Sequence, residues 1–137
     1  MPVTPNSIIT PQTPRTGTAV LTTASTDIDD APSASVLLTM AGENGARVTR
    51  IRAAPRATVT ATNLLLYLSK DGGETQRLVD SRLMAAHTVS NTTEIPRTDF
   101  GYSDGNPLIL EAGDRLYAAA TVASAAGIVV AAEWADY

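Results

Sequence analysis

A single histidine, three closely spaced aspartates, a run of arginines and a terminal tryptophan are the residues through which this sequence could do chemistry or recognition. His87 has no cysteine anywhere in the chain to share a metal with. One imidazole does not make a His-rich metal site. It has no G-x-S-x-G elbow to serve as a base either, so an ordinary strand or loop histidine is the expectation. Asp27, Asp29 and Asp30 have the chemistry to attract a hard cation. An EF-hand template laid from Asp27 puts Pro32 where glycine is needed and Leu38 where the bidentate glutamate is needed, so that template fails. Asp99, Asp104 and Asp114 show no spacing for paired-carboxylate catalysis.

Arg47, Arg50, Arg52 and Arg56 form the densest basic stretch. On a strand Arg50 and Arg52 share a face. Guanidinium forks there suit carboxylates at a protein interface, although a solvated strand face explains them equally well. No aromatic residue interleaves to stack bases, which argues against nucleic acid. Trp134 and Tyr137 close the chain, and a lone tryptophan is a core or interface anchor. Asn91-Thr92-Thr93 matches a glycosylation sequon but carries little weight without a secretory signal.

The elements that must position these residues follow from composition and turn chemistry. The chain has 137 residues, no cysteine and a formal charge of −4. This suits one domain that builds its core without disulfides. Mild acidity argues against bulk nucleic-acid binding. Of the ten basic residues, only Lys70 is lysine. Abundant Thr and Val with a single Trp and a single Phe point to strands around an aliphatic core. Met1–Asn6 has neither a basic nor an apolar leader region, so no targeting segment is expected. Leu116–Ala132 is uncharged but interrupted by Thr121, Ser124 and Gly127. It is read as two strands, and no membrane helix is expected.

Pro2, Pro5, Pro11 and Pro14 make residues 1–15 an extended arm, anchored by Ile8 and Ile9. A sandwich domain is expected over 16–137. Its strands are predicted at Thr16–Thr23, Ser35–Met40, Ala46–Arg52, Ala57–Ala61, Leu64–Ser69, Gln76–Asp80, 82–89, Pro107–Leu110, Arg115–Val122 and Ile128–Trp134. Asn44-Gly45 predicts a hairpin between the second and third of these, and Asp71-Gly72 another after Leu64–Ser69. Ala125-Ala126-Gly127 predicts a last hairpin. Ser90–Asn106 reads as a long loop. Ile128, Val130, Ala132 and Trp134 are predicted to share one face by the two-residue period. Strands at this spacing argue for a β-sandwich or barrel.

The arm Met1–Thr16, the segment Thr60–Gly73 (TATNLLLYLSKDGG) and the turn Leu110–Tyr117 (LEAGDRLY) resemble small virion proteins of tailed bacteriophages, especially capsid decoration (cement) proteins. The turn is also similar to those entering late strands of jelly-roll domains. The resemblance is diffuse and fixes no functional residue. It implies a jelly-roll-like sandwich of about eight antiparallel strands that sits on an assembled shell and stabilises it. It also implies a major capsid protein as partner, a homo-oligomer with a trimer favoured, and a place on the virion surface after synthesis in the host cytoplasm. No enzymatic activity, cofactor, metal, nucleic acid or membrane is expected. Ile8, Ile9, Arg47, Arg50, Arg52, Trp134 and Tyr137 are the candidate interface residues. A tail or head-fibre component and a carbohydrate-binding sandwich module are the rival readings, the second poorly served by so few large aromatics.

Overall fold

The computed structural model describes residues 10–137. Nine strands occur among them: β1 (Thr13–Leu21), β2 (Val36–Met40), β3 (Ala46–Pro55), β4 (Thr62–Ser69), β5 (Arg77–Met84), β6 (Thr98–Asp99), β7 (Leu108–Leu110), β8 (Arg115–Ala120) and β9 (Ile128–Asp136). They form two antiparallel sheets and no helix is present among the described residues. Sheet A runs β1-β9-β3-β6, with β7 also on β3, and sheet B runs β2-β8-β4-β5. The chain is therefore an all-β sandwich; β3 and β9 bury alternate side chains against the facing sheet, as their apolar pattern requires. Ile128, Val130, Ala132 and Trp134 all point into the core beside Ile51 of β3 and opposite Leu64, Leu66 and Leu116 of sheet B, which like Ile51 are each at most 1% exposed.

Two predicted hairpins do not form. Asn44-Gly45 joins β2 in sheet B to β3 in sheet A, and Ala125-Ala126-Gly127 joins β8 in sheet B to β9 in sheet A. Both glycines take positive φ, 86° and 91°, so the chain turns at both places but crosses to the other sheet. A turn signal records a chain reversal, whereas the choice of neighbour is made by which layer buries the strand. The Asp71-Gly72 hairpin does form, pairing β4 with β5. Asp71 Oδ1 organises it by accepting bonds from Ser69 Oγ at 2.9 Å and the Thr75 amide at 2.8 Å. The amide donor lowers the Asp71 pKa most, followed by the Ser69 hydroxyl.

Other boundaries shift. Ala57–Ala61 makes only the isolated bridge Val59↔His87. One strand, β5, replaces the two runs predicted on either side of Ser81. The loop after it contains β6. β1 takes in Thr13–Arg15, which the proline spacing predicts to be part of the arm. Pro14 is tolerated there because β1 is a sheet edge. The anchor residues Ile8 and Ile9 lie outside the described residues.

The two sheets differ in what covers their outer faces. Leu65, Tyr67 and Ala119 point outward from sheet B yet are at most 4% exposed, forming a second apolar cluster. The β1–β2 connection covers them. It is fastened by Ser25 N–H to Ala120 C=O at 2.8 Å, Tyr67 Oη–H to Asp27 C=O at 2.9 Å and Gln76 N–H to Asp30 C=O at 2.9 Å. Burial, the largest cause, raises the Tyr67 phenol pKa. This explains why Leu64–Leu68 is continuously apolar: β4 buries both faces. Sheet A carries no comparable strap among the described residues.

One long side of the sandwich is closed by a polar latch. Arg82, on β5, donates from Nε and Nη2 to the Phe100 carbonyl at 3.3 and 2.9 Å. Tyr102 Oη donates to Asp80 Oδ2 at 2.9 Å. Phe100 is 2% exposed and fills the core behind them.

Candidate functional site: the outer face of sheet A

The outer face of sheet A, which no strap covers among the described residues, is built around β3. Its side chains alternate inward at Ala46 and Val48, then inward again at Ile51 and Ala53. The change of parity is a β-bulge: the pairing with β9 slips between Val48 and Arg50. Strict alternation would have placed Arg47 on the face opposite Arg50 and Arg52. The extra residue brings all three arginines onto the outer face, where they stand opposite Ala135, Glu133 and Ala131 of β9. Bulges re-aim side chains in this way. The next strand, β1, adds Pro14, Thr16 and Thr18 in the same rows. Alanines of β9 thus stand beside Arg47 and Arg52, and Glu133 beside Arg50.

The three guanidinium groups have different partners. Arg50 Nη1 is 3.5 Å from Glu133 Oε2, with both side chains about half exposed, 49% and 46%. Such a pair is worth little in water. Arg47 Nη2 donates to the Asp104 carbonyl, and its buried Nε has no hydrogen-bond partner among the described residues. Arg52 makes neither an ion pair nor a side-chain hydrogen bond among the described residues. Its cross-strand neighbour is Asp99, whose Oδ1 instead accepts the Gly101 amide at 2.7 Å. Two shallow grooves flank the row. One, of about 550 Å³, is lined by Pro11, Pro14, Arg47, Asp104 and Glu133 among others. The other, of about 480 Å³, includes Arg50, Asp99, Tyr102 and Asp104.

The chain matches no known protein family, no curated protein and no solved structure.

The remaining sequence candidates lie elsewhere. Trp134 points inward at 8% exposure, beside Gly17 of β1, with its Nε1 unpartnered among the described residues. Tyr137 is half-buried at the end of β9, its amide donating to the Gly45 carbonyl at 3.2 Å. His87 is half-buried in its bridge to Val59, and its Nε2 is buried without a partner among the described residues. The aspartates of the 27–30 loop do not converge. Asp29 caps the Ala31 amide at 3.1 Å, and Asp30 faces Arg77 at 3.4 Å. Among the described residues no group of three His, Cys, Asp or Glu side chains is placed to hold a metal ion. No helix among them is long and apolar enough to cross a membrane.

Sequence reasoning missed two contributors. The bulge at Thr49 has no sequence signature here, since neither Gly nor Pro marks it. The Asp80–Tyr102 contact joins residues whose types are unremarkable in isolation. Tyr102 is pushed above the ordinary phenol range chiefly by burial and then by donation to Asp80. What the arginine face can do chemically is bind: its forked donors suit carboxylates and carbonyls of a second protein surface.

Proposed function

We propose that this chain is a capsid decoration protein that docks the arginine face of sheet A onto the outer surface of an assembled phage shell and stabilises it. The observation that carries this reading is the contrast between the sheets. The centre of sheet B's outer face, at Leu65, Tyr67 and Ala119, is strapped over and buried, while sheet A's carries no such strap among the described residues and is set with three arginines. Arginine is enriched in interface hot spots. The strand orders β1-β9-β3-β6 and β2-β8-β4-β5 support the finer reading of a jelly roll, an architecture that viral capsid and lectin domains use.

The physics suits the role. A shell presents many identical sites, so modest contacts suffice once binding is multivalent. A protein that binds only the assembled state stabilises it by mass action. The test is co-sedimentation of the purified chain with shells of the phage that encodes it. Attachment is expected to weaken with rising salt. It should drop on the order of a hundredfold in the double variant Arg50→Glu/Arg52→Glu, since like-charge juxtaposition costs several kcal/mol. Unaltered attachment of that variant would refute docking through this face. Failure of the parent chain to co-sediment would refute the role.

A place on the tail or in a head fibre remains the second virion reading, which labelled electron microscopy of particles would favour. A carbohydrate-binding module would stack sugars on aromatic rings. Here Tyr67, Phe100 and Trp134 are each less than a tenth exposed, and binding on a glycan array would be needed to favour it.

A further inference from the structure

Asn-Gly and Asp-Gly pairs are chemically labile, because a glycine with no side chain leaves its own amide nitrogen free to attack the side-chain carbonyl before it. The chain has three of them: Asn44-Gly45, Asp71-Gly72 and Asp104-Gly105. Residue type alone ranks the asparagine first, since at neutral pH an amide loses ammonia more readily than a carboxyl loses water. The fold ranks them differently.

Asn44-Gly45 is held on both sides. Gly45 is buried, its amide donates to the Gly42 carbonyl at 3.1 Å, and Asn44 Nδ2 donates to the Tyr137 carbonyl at 3.5 Å. A Cβ built on Gly45 would stand 2.5 Å from the Leu110 carbonyl oxygen, so the peptide has no room to turn. At Asp71 the carboxylate is the part that is held. The Thr75 amide and the Ser69 hydroxyl donate to its Oδ1 and keep it below the ordinary carboxylate range. An ionised carboxylate is a poor electrophile. Asp104-Gly105 has neither restraint. Both residues are exposed, at the tip of a turn in which Ser103 and Asn106 exchange both backbone bonds, at 3.2 and 3.1 Å. Among the described residues neither the Asp104 carboxylate nor the Gly105 amide makes a hydrogen bond. No heavy atom lies within 4 Å of a Cβ built on Gly105. One further group is in place: Arg47 Nη2 donates to the main-chain carbonyl of Asp104.

We infer that Asp104-Gly105 is a site of spontaneous self-modification, at which Asp104 becomes isoaspartate with Arg47 directing the outcome. The Gly105 nitrogen attacks Cγ of the protonated carboxyl. The N–Cγ bond forms, and the amide proton and the hydroxyl leave as water. The cyclic imide then has two carbonyls open to water. Arg47 faces the α one, and a donor aimed at the oxygen where charge develops favours attack there. Water adds to that carbon and its bond to the Gly105 nitrogen breaks. The main chain now runs through Cγ, the α-carbon carries a free carboxylate, and mass and net charge are those of the parent. The new carboxylate lies against Arg47 and pairs with it, so the negative charge of Asp104 moves from an unpartnered side chain onto the outer face of sheet A. Weaker docking by aged protein follows from this only through the role proposed above; the chemistry itself does not rest on that role.

The test ages the full chain at neutral pH and physiological temperature, folded and in denaturant. Isoaspartate is quantified with an isoaspartyl methyltransferase and located by electron-transfer fragmentation of its peptides, with no shell protein present. The folded chain is expected to accumulate isoaspartate at Asp104 while Asn44 and Asp71 stay intact. In denaturant the order should reverse, with Asn44 reacting first. Gly105→Ala should slow the reaction severalfold and Asp104→Glu should abolish it. Arg47→Gln, shown by circular dichroism to be folded, should lower the share of turnover that ends as isoaspartate. Folded protein that modifies Asn44 or Asp71 ahead of Asp104 overturns the inference, and so does one that leaves Asp104 intact while the denatured chain isomerises there. An unchanged isoaspartate share in Arg47→Gln overturns the part given to Arg47.

Discussion

Replacing Gly17 by alanine tests how closely β1 and β2 approach at the open corner of the sandwich. A Cβ built on Gly17 would stand 2.7 Å from the Leu38 carbonyl oxygen and 2.9 Å from Trp134 Cη2 and Cζ3. The carbonyl is backbone, and the indole is packed at 8% exposure, so neither has free space to retreat into. Gly17 has no positive φ, which makes the cost steric and not conformational. Overpacking of this kind costs about 1–3 kcal/mol. The reduced freedom of the unfolded chain returns about 0.4–1 kcal/mol. The net expectation is a loss of roughly 1–2 kcal/mol, or a fall in Tm of about 3–8 °C for a domain of this size. Urea and thermal unfolding followed by the fluorescence of Trp134, the only tryptophan, reads both stability and the environment of the ring. Gly105→Ala is the control. It has no heavy atom within 4 Å of its would-be Cβ and no positive φ, and should be neutral or stabilising by up to about 1 kcal/mol. If Gly17→Ala behaved like Gly105→Ala, the corner would be looser than described and Trp134 would not be held by β1.

Tyr67→Phe removes the phenol that fastens the 22–35 connection; we expect a loss of about 1–2 kcal/mol and faster limited proteolysis near Asp27, read by chemical denaturation and mass spectrometry of the fragments. Asp136→Ala unmakes two bonds at once, the 2.5 Å contact from Arg15 Nε and the 3.1 Å bond from the Gly42 amide, and should cost about 1–3 kcal/mol in the same denaturation assay. Alkaline pH should destabilise the fold. Tyr67 and Tyr102 both have folded pKa values raised above the ordinary phenol value of 10, so the folded state holds protons that the unfolded chain has released. Their contribution is complete below pH 10 and is lost as pH climbs through the folded values. A double Tyr67→Phe/Tyr102→Phe variant should show a shallower alkaline decline, and an unchanged slope would argue against that assignment.

Much of the fold is written locally in the sequence. Ile128, Val130, Ala132 and Trp134 alternate, and they face the core as their period requires. Asp71-Gly72-Gly73 encodes the turn of the β4–β5 hairpin because the positive φ values of both glycines, 76° and 103°, disfavour a side chain. What local chemistry does not encode is the partner across a turn. The reversals at Gly45 and Gly127 are legible, yet they carry the chain from one sheet to the other, because each strand goes where its apolar face is buried, and that depends on all the other strands. The arginine face shows the same division. Arg50 and Arg52 share a face by simple parity, but Arg47 joins them only through the slip at Thr49, which the pairing with β9 imposes.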